Sequence, residues 1–326
     1  MIINMNLHHS VSHIPAISAD LSNPLDQLKE WIKTEEELSK LQLLQPNCVS
    51  KLIIPKNNQI KTIILLLHGF ASGTWVFEGW LKSLPQDPNT LIIAPRLPGS
   101  GFMTEVQPDS QYLPGATQSQ TYEDMVTAWI SICQTIGGDI LIAGHSSGGT
   151  LAYRLSQRHP VKSLFLIAPF FDTEDLLPKI VFSSVQWIQH HLKLPVHKAL
   201  NHIPWRLKES FNTGATDLPG HSTMTLGQLY SIYTYANTLF RTKDLPQTNS
   251  IWLTASEYDT RSSFTAIKRL IKRLKNPKTK IETNITIFPK SRQVPHAMVH
   301  PLQNNLDDIT GFLKGQFLQW VNQATR

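Results

Sequence analysis

Apolar residues gather along this chain in short unbroken blocks, separated by longer stretches in which they recur every three to four positions. Cys48 to Pro55, Lys61 to Leu67, Thr90 to Pro95, Asp139 to Ala143, Ser163 to Ala168, Ser250 to Thr254 and Ile281 to Phe288 are blocks of strand length. The second of them is a continuous apolar run rather than an alternation of apolar and polar, as expected of a strand covered on both faces. The turn Lys56-Asn57-Asn58-Gln59 separates the first two. Helical periodicity runs through Leu25 to Leu44, opened by Asn23-Pro24, and through Ser119 to Ile136, Gly149 to Gln157, Leu226 to Arg241, Phe264 to Leu274 and Leu306 to Ala324. Strands alternating with helices predict a mainly parallel α/β sheet flanked by helices on both faces.

The alternation breaks once, where about eighty residues lie between the block ending at Ala168 and the block opening at Ser250. A connection of that length inside a compact domain is expected to hold structure of its own. With Leu226 to Arg241 as the helix returning to the sheet, residues 172–223 are expected to form an inserted helical cap. The core then comprises 48–171 and 224–326, preceded by an N-terminal extension and helix over 1–47, of which residues 1–23 are polar and irregular.

Composition narrows the class without changing this picture. A chain of 326 residues with 41% hydrophobic side chains can bury a large core. The formal charge of +6 comes from 30 basic and 24 acidic residues mixed through most of the chain, and does not point to a nucleic-acid binder. Cys48 and Cys133 have no disulfide-framework or zinc-site spacing and read as reduced, buried thiols. The segment Met1 to Ala19 lacks the charged and apolar regions of a secretory signal, and no apolar run reaches the roughly 18 residues of a membrane span. A cytoplasmic location is the expectation.

The candidate chemistry begins at Gly144-His145-Ser146-Ser147-Gly148-Gly149, which sits between the apolar block Asp139 to Ala143 and the helical stretch that follows. A serine flanked by glycines on so tight a strand-to-helix turn has its hydroxyl lifted above the sheet edge at a helix N-terminus, as a nucleophile requires. Further matching stretches are Leu65-Leu66-Leu67-His68-Gly69-Phe70, Ala94-Pro95-Arg96-Leu97-Pro98-Gly99-Ser100-Gly101, and acid and histidine positions late in the chain. On these motifs the chain resembles the esterase, carboxylesterase and monoacylglycerol-lipase branch of the α/β-hydrolase superfamily over about residues 48–320. Ser100 stands where that branch often has histidine.

The resemblance implies an α/β-hydrolase fold and a Ser-Asp-His triad built on Ser146. The backbone N–H groups of Phe70 and Ser147 would form the oxyanion hole, Gly69 would permit close approach of backbone to substrate, and His145 would face the substrate beside it. The base is expected on the loop after the last strand, where His296 and His300 are candidates and the resemblance favours His296. His296 and His300 could also be an i, i+4 metal pair, but no glutamate follows the first and Pro301 follows the second, so no metal is expected. The acid is expected after the block Ser250 to Thr254, where Asp259 fits and Glu257 is its rival; Ser256 and Thr260-Arg261 replace the glycine and valines usual there.

The implied activity is hydrolysis of a carboxylic ester, of the esterase or lipase kind, with monoacylglycerol and lysophospholipid as candidate substrates and no cofactor. The same triad also serves acyl transfer and other chemistries, and the fold could persist as a silent binding module for hydrophobic ligands. Within the expected cap, Pro178 to Lys208 carries Lys179, Lys193, Lys198, Arg206 and Lys208 and no acidic residue, interleaved with Trp187, Leu192, Leu194 and Trp205. Such a segment suits contact with a lipid surface, or serves as a lid with a solvated basic face.

Overall fold

A computed structural model describes residues 23–325 apart from 57–58, 71, 85–87, 102–112, 207–222, 243, 277–278 and 301–306. The N-terminal residues 1–22, the centre of the expected turn Lys56 to Gln59, and Lys208 lie outside the described residues.

Nine strands form two sheets among the described residues. The main sheet holds β1 (Lys51–Ile53), β2 (Thr62–Leu67), β3 (Thr90–Ala94), β4 (Asp139–His145), β5 (Val161–Ile167), β8 (Thr248–Ser256) and β9 (Glu282–Phe288), in the order β1-β3-β2-β4-β5-β8-β9. All neighbours are parallel except β1, which pairs antiparallel with β3. The remaining two strands, β6 (Pro204–Arg206) and β7 (Thr223–Thr225), pair antiparallel in a small ribbon of their own. The helices are α1 (Pro24–Lys40), α2 (Gln120–Ile136), α3 (Ser147–Arg158), α4 (Leu176–Leu192), α5 (Leu226–Arg241), α6 (Phe264–Leu274) and α7 (Asp307–Ala324), with a single turn at Glu78–Leu81.

Continuous apolar strands follow from burial on both faces. In β2, Ile63, Leu65 and Leu67 join one core cluster while Ile64 and Leu66 join the other. The same alternation places Ile140 and Ile142 against Leu141 and Ala143 in β4, and Leu164 and Leu166 against Phe165 and Ile167 in β5. The first layer is closed by α1 to α6; the second is closed by α7 and by Trp75, Phe77 and Trp80 before β3.

The expected elements differ from the observed ones mainly at their ends. The first strand shrinks from Cys48–Pro55 to Lys51–Ile53, because Pro46–Cys48 forms a 3₁₀ turn that turns Cys48 inward. The helix after Ser146 starts at Ser147, two residues earlier than its apolar pattern, since Gly148 and Gly149 carry no side chain to mark the period. Between β5 and β8 the chain holds α4, a 3₁₀ stretch Val196–His202, the β6–β7 ribbon and α5; the ribbon was not expected from the sequence. Cys48 and Cys133 are buried free thiols whose pKa burial pushes up to about 12. No described helix is long and apolar enough to cross a membrane.

Candidate functional site

Ser146 stands between β4 and α3 with φ 55° and ψ −122°, a backbone conformation that L-residues avoid and that is sustained only by its surroundings. Its own N–H donates to the Ile167 carbonyl at 2.9 Å, and its carbonyl accepts from the Phe170 N–H at 3.0 Å. The turn closes because its neighbours are glycines. A Cβ on Gly148 would lie 2.0 Å from the Leu67 carbonyl oxygen, and one on Gly144 would lie 2.3 Å from the Gly148 carbonyl oxygen.

The loop after β9 brings an imidazole to this hydroxyl. His296 Nε2 lies 2.7 Å from Ser146 Oγ, and His296 Nδ1 lies 2.7 Å from Asp259 Oδ2. With the carboxylate accepting at Nδ1–H, the Nε2 lone pair is left to accept the serine hydroxyl proton. Asp259 is itself buried at the end of β8, where its Oδ1 accepts the N–H groups of Arg261 at 2.7 Å and Ser262 at 2.9 Å. The loops bearing acid and base are also tied directly, since Ser256 Oγ donates to the Val294 carbonyl at 2.7 Å.

The rivals stand elsewhere. Glu257 is exposed and its carboxylate accepts the Lys290 N–H at 3.1 Å. His300 packs edge-on against Trp75 with ring centroids 5.0 Å apart, and burial pulls its pKa below the ordinary imidazole value. Among the described residues, no group of three His, Cys, Asp or Glu side chains could hold a metal ion.

Phe70 and Ser147 face the same cleft as Ser146 and His296, from the ends of β2 and β4. Gly69 lines it as well, and a Cβ there would come within 3.2 Å of Ser146 Cβ, so the glycine is what lets this strand end approach the serine. His145 also lines the cleft, but its Nε2–H donates to the His296 carbonyl at 3.0 Å, which holds the backbone of the imidazole-bearing loop. Burial, with the nearby His296 adding to it, pushes the His145 imidazole down to about 3, so this ring is neutral near pH 7.

One contributor escaped the sequence reading. His68 Nε2 accepts the Leu97 N–H at 2.9 Å, leaving Nδ1–H to donate to the Gly69 carbonyl at 2.8 Å. That carbonyl belongs to the same rigid peptide as the Phe70 N–H, so His68 fixes the direction of that donor. A lone polar side chain closing the apolar run Ile63 to Leu67 was the available signal. The rest of the wall of this cleft, which is partly open to solvent, comes from Ser72, Phe170, Thr173, Asp175, Pro178, Trp205, Leu229, Ile232, Arg261 and Ala297. Most of these come from the segment between β5 and β8, where no motif marks them.

A parallel sheet with a strained serine elbow, a histidine after the last strand and an acid between them defines an α/β-hydrolase architecture. The alpha/beta hydrolase family model matches residues 64–298, and the chain belongs to that family. Among solved structures, a monoacylglycerol lipase from Paleococcus ferrophilus superposes with a TM-score of 0.61 at 12% identity, covering 84% of this chain and 98% of that one. A carboxyl esterase from Bacillus coagulans, in complex with glycerol, gives 0.59 at 13% identity, covering 85% and 94%. A monoglyceride lipase from Saccharomyces cerevisiae, a soluble variant bound to a substrate analogue, gives 0.58 at 11% identity, covering 85% and 91%. At these identities the likeness is one of fold. No curated protein matches the sequence.

Proposed function

We propose that the protein is a serine esterase that cleaves carboxylic esters through an acyl-enzyme on Ser146. The observation that carries this reading is the hydrogen-bonded chain Asp259–His296–Ser146, 2.7 Å at each link, at one end of a cleft with an apolar wall. Ser146 Oγ attacks the ester carbonyl carbon as its proton passes to His296 Nε2, and Asp259 stabilises the imidazolium that forms. The N–H groups of Phe70 and Ser147 donate to the oxyanion, the second helped by its place at the N-terminus of α3. Collapse expels the alcohol, protonated by His296. Water then attacks the acyl-enzyme with the same base, releasing the acid and restoring Ser146.

Residues 172–223 are read here as a cap, because Pro178 and Trp205 on that segment help to roof the cleft. The side chains of Phe70, Phe170, Pro178, Trp205, Leu229 and Ile232 suit an apolar acyl chain better than acetate. Each buried CH₂ contributes about 0.8 kcal/mol, roughly fourfold in kcat/KM, until the wall is filled.

The test is a series of p-nitrophenyl esters of increasing chain length with the parent and Ser146→Ala, alongside labelling by a fluorophosphonate probe. The parent should label and should prefer medium chains. Ser146→Ala should fold, fail to label and lose about four to six orders of magnitude in kcat. Near-parent turnover by a clean, folded Ser146→Ala preparation would end the serine-hydrolase reading.

A further inference from the structure

Helix α4 carries apolar side chains on two opposite faces. Pro178, Phe182 and Val185 are buried on one of them. At about 100° per residue, Leu176, Ile180 and Trp187 fall within an arc of about 40° on the other, with Leu177 at its flank. These four are between 55% and 68% exposed. Leu192, at the end of the helix, and Leu194 and Ile203 beyond it are exposed as well. Of the eleven exposed large apolar side chains among the described residues, seven lie between Leu176 and Ile203, while Leu41, Ile53, Tyr258 and Phe312 are scattered over the rest. Apolar exposure concentrated on one short segment marks an interaction surface rather than ordinary surface composition.

Charge decides what occupies it. From Pro178 to Arg206 there is no aspartate or glutamate. Lys179 is paired with Asp172 at 3.3 Å, whereas Lys193 and Lys198 stand exposed next to and just beyond Leu192 and Leu194. Cations beside an apolar stripe call for a partner that offers apolar and anionic surface together. An anionic bilayer satisfies both features, taking the apolar stripe at its acyl boundary and the ammonium groups at its phosphates.

We propose that the outer face of α4, with Lys193 and Lys198, docks the protein on an anionic lipid surface. Pro178 and Trp205 line the cleft from the same segment, so docking holds the cleft beside the bilayer, where lipid-borne esters are concentrated. This consequence for substrate supply rests on the ester-hydrolase reading; the docking itself does not.

The experiment is co-sedimentation of the full chain with vesicles of phosphatidylcholine alone and of phosphatidylcholine mixed with phosphatidylglycerol. The parent is expected on the mixed vesicles, more weakly on phosphatidylcholine alone, and less on the mixed vesicles as salt is raised. Two variants are compared with it, Leu176→Ser with Ile180→Ser and Trp187→Ser, and Lys193→Gln with Lys198→Gln. Each should lower partitioning onto mixed vesicles by about tenfold or more. Turnover of a short soluble ester should stay at the parent level in both, which reports an intact site.

Failure of the parent to bind mixed vesicles, or variants that bind as the parent does, overturns the proposal. So does a parent dimer that the triple variant makes monomeric while vesicle binding is unchanged, which would assign the face to a second copy. Vesicle binding is read without turnover, so a parent that binds but cleaves no soluble ester counts against the hydrolase reading alone.

Discussion

At the residue scale the site is held by hydrogen bonds whose donors and acceptors are each committed. Asp259 gives one oxygen to His296 and the other to two backbone N–H groups, so the acid cannot swing away from the imidazole without orphaning buried donors. Asp259→Asn should therefore lower kcat by about four orders of magnitude with the fold retained, since an amide in that place favours the wrong imidazole tautomer. Glu257→Gln, at the Lys290 amide, should leave kcat near the parent. By the same geometry His296→Ala should match the loss at Ser146, while His300→Ala should lower stability more than turnover because His300 packs on Trp75. Steady-state kinetics with a soluble ester, run beside thermal melts, checks all four. Comparable kcat losses at Glu257 and Asp259 would refute the assignment of the acid.

At the element scale, α1 is more than an appended helix. Glu35, 1% exposed, accepts from Arg96 Nε at 3.0 Å and from the Ser50 N–H at 2.6 Å. The Arg96 N–H in turn donates to Ser50 Oγ at 2.8 Å, and the adjacent Leu97 N–H reaches His68. The N-terminal helix thus braces the loop after β3, which orients the peptide bearing the Phe70 N–H. Glu35→Ala takes the carboxylate from a buried guanidinium and should lower unfolding free energy by about 3–5 kcal/mol. Glu35→Met combined with Arg96→Met should recover much of that stability, because the pair leaves together and apolar volume replaces it. Chemical denaturation of the two variants gives the comparison, and a single substitution as stable as the parent would show that the pair carries no structural weight.

At the scale of the whole molecule, the site exists because parallel strands deliver their C-terminal ends to one edge of the sheet. β2 brings Gly69 and Phe70, β4 brings Ser146, β8 leads to Asp259 and β9 to His296. Crowding these groups together strips water from them, and it shows in the response to acid. His145 takes its proton only near pH 3 in the folded chain, through burial, against an ordinary value of 6.5. Above 6.5 the ring is neutral whether folded or not and contributes nothing; as pH falls from 6.5 toward 3, only the unfolded chain binds the proton, so stability is lost. His300, also shifted down by burial, adds in the same direction. Melting temperature should therefore fall between pH 6.5 and pH 4, and His145→Gln, which keeps a donor for the His296 carbonyl, should flatten part of that fall. An equal slope in the variant would exclude His145 as a source of acid sensitivity.

The order of strands and helices, the elbow around Ser146 and the helical phases were legible in the sequence because each is set by neighbours within a few residues. Local periodicity records burial, and glycines at 144 and 148 record a turn that no Cβ would fit. Partner choice was not legible in that way. Ser146 and His296 meet across 150 residues, and Asp259 and His296 across 37. Two histidines and two acids stood at acceptable positions, and only the packing of Trp75 and the Lys290 amide drew His300 and Glu257 elsewhere. Glu35 carried no signature of its own and His68 only its place at the end of an apolar run, since their roles arise when the loop after β3 folds back against β2 and α1. The two apolar faces of α4 were not separable in the sequence, where the segment reads as basic with interleaved apolar residues; Phe182 is on the buried one because Tyr230 and Tyr233 of α5 meet it.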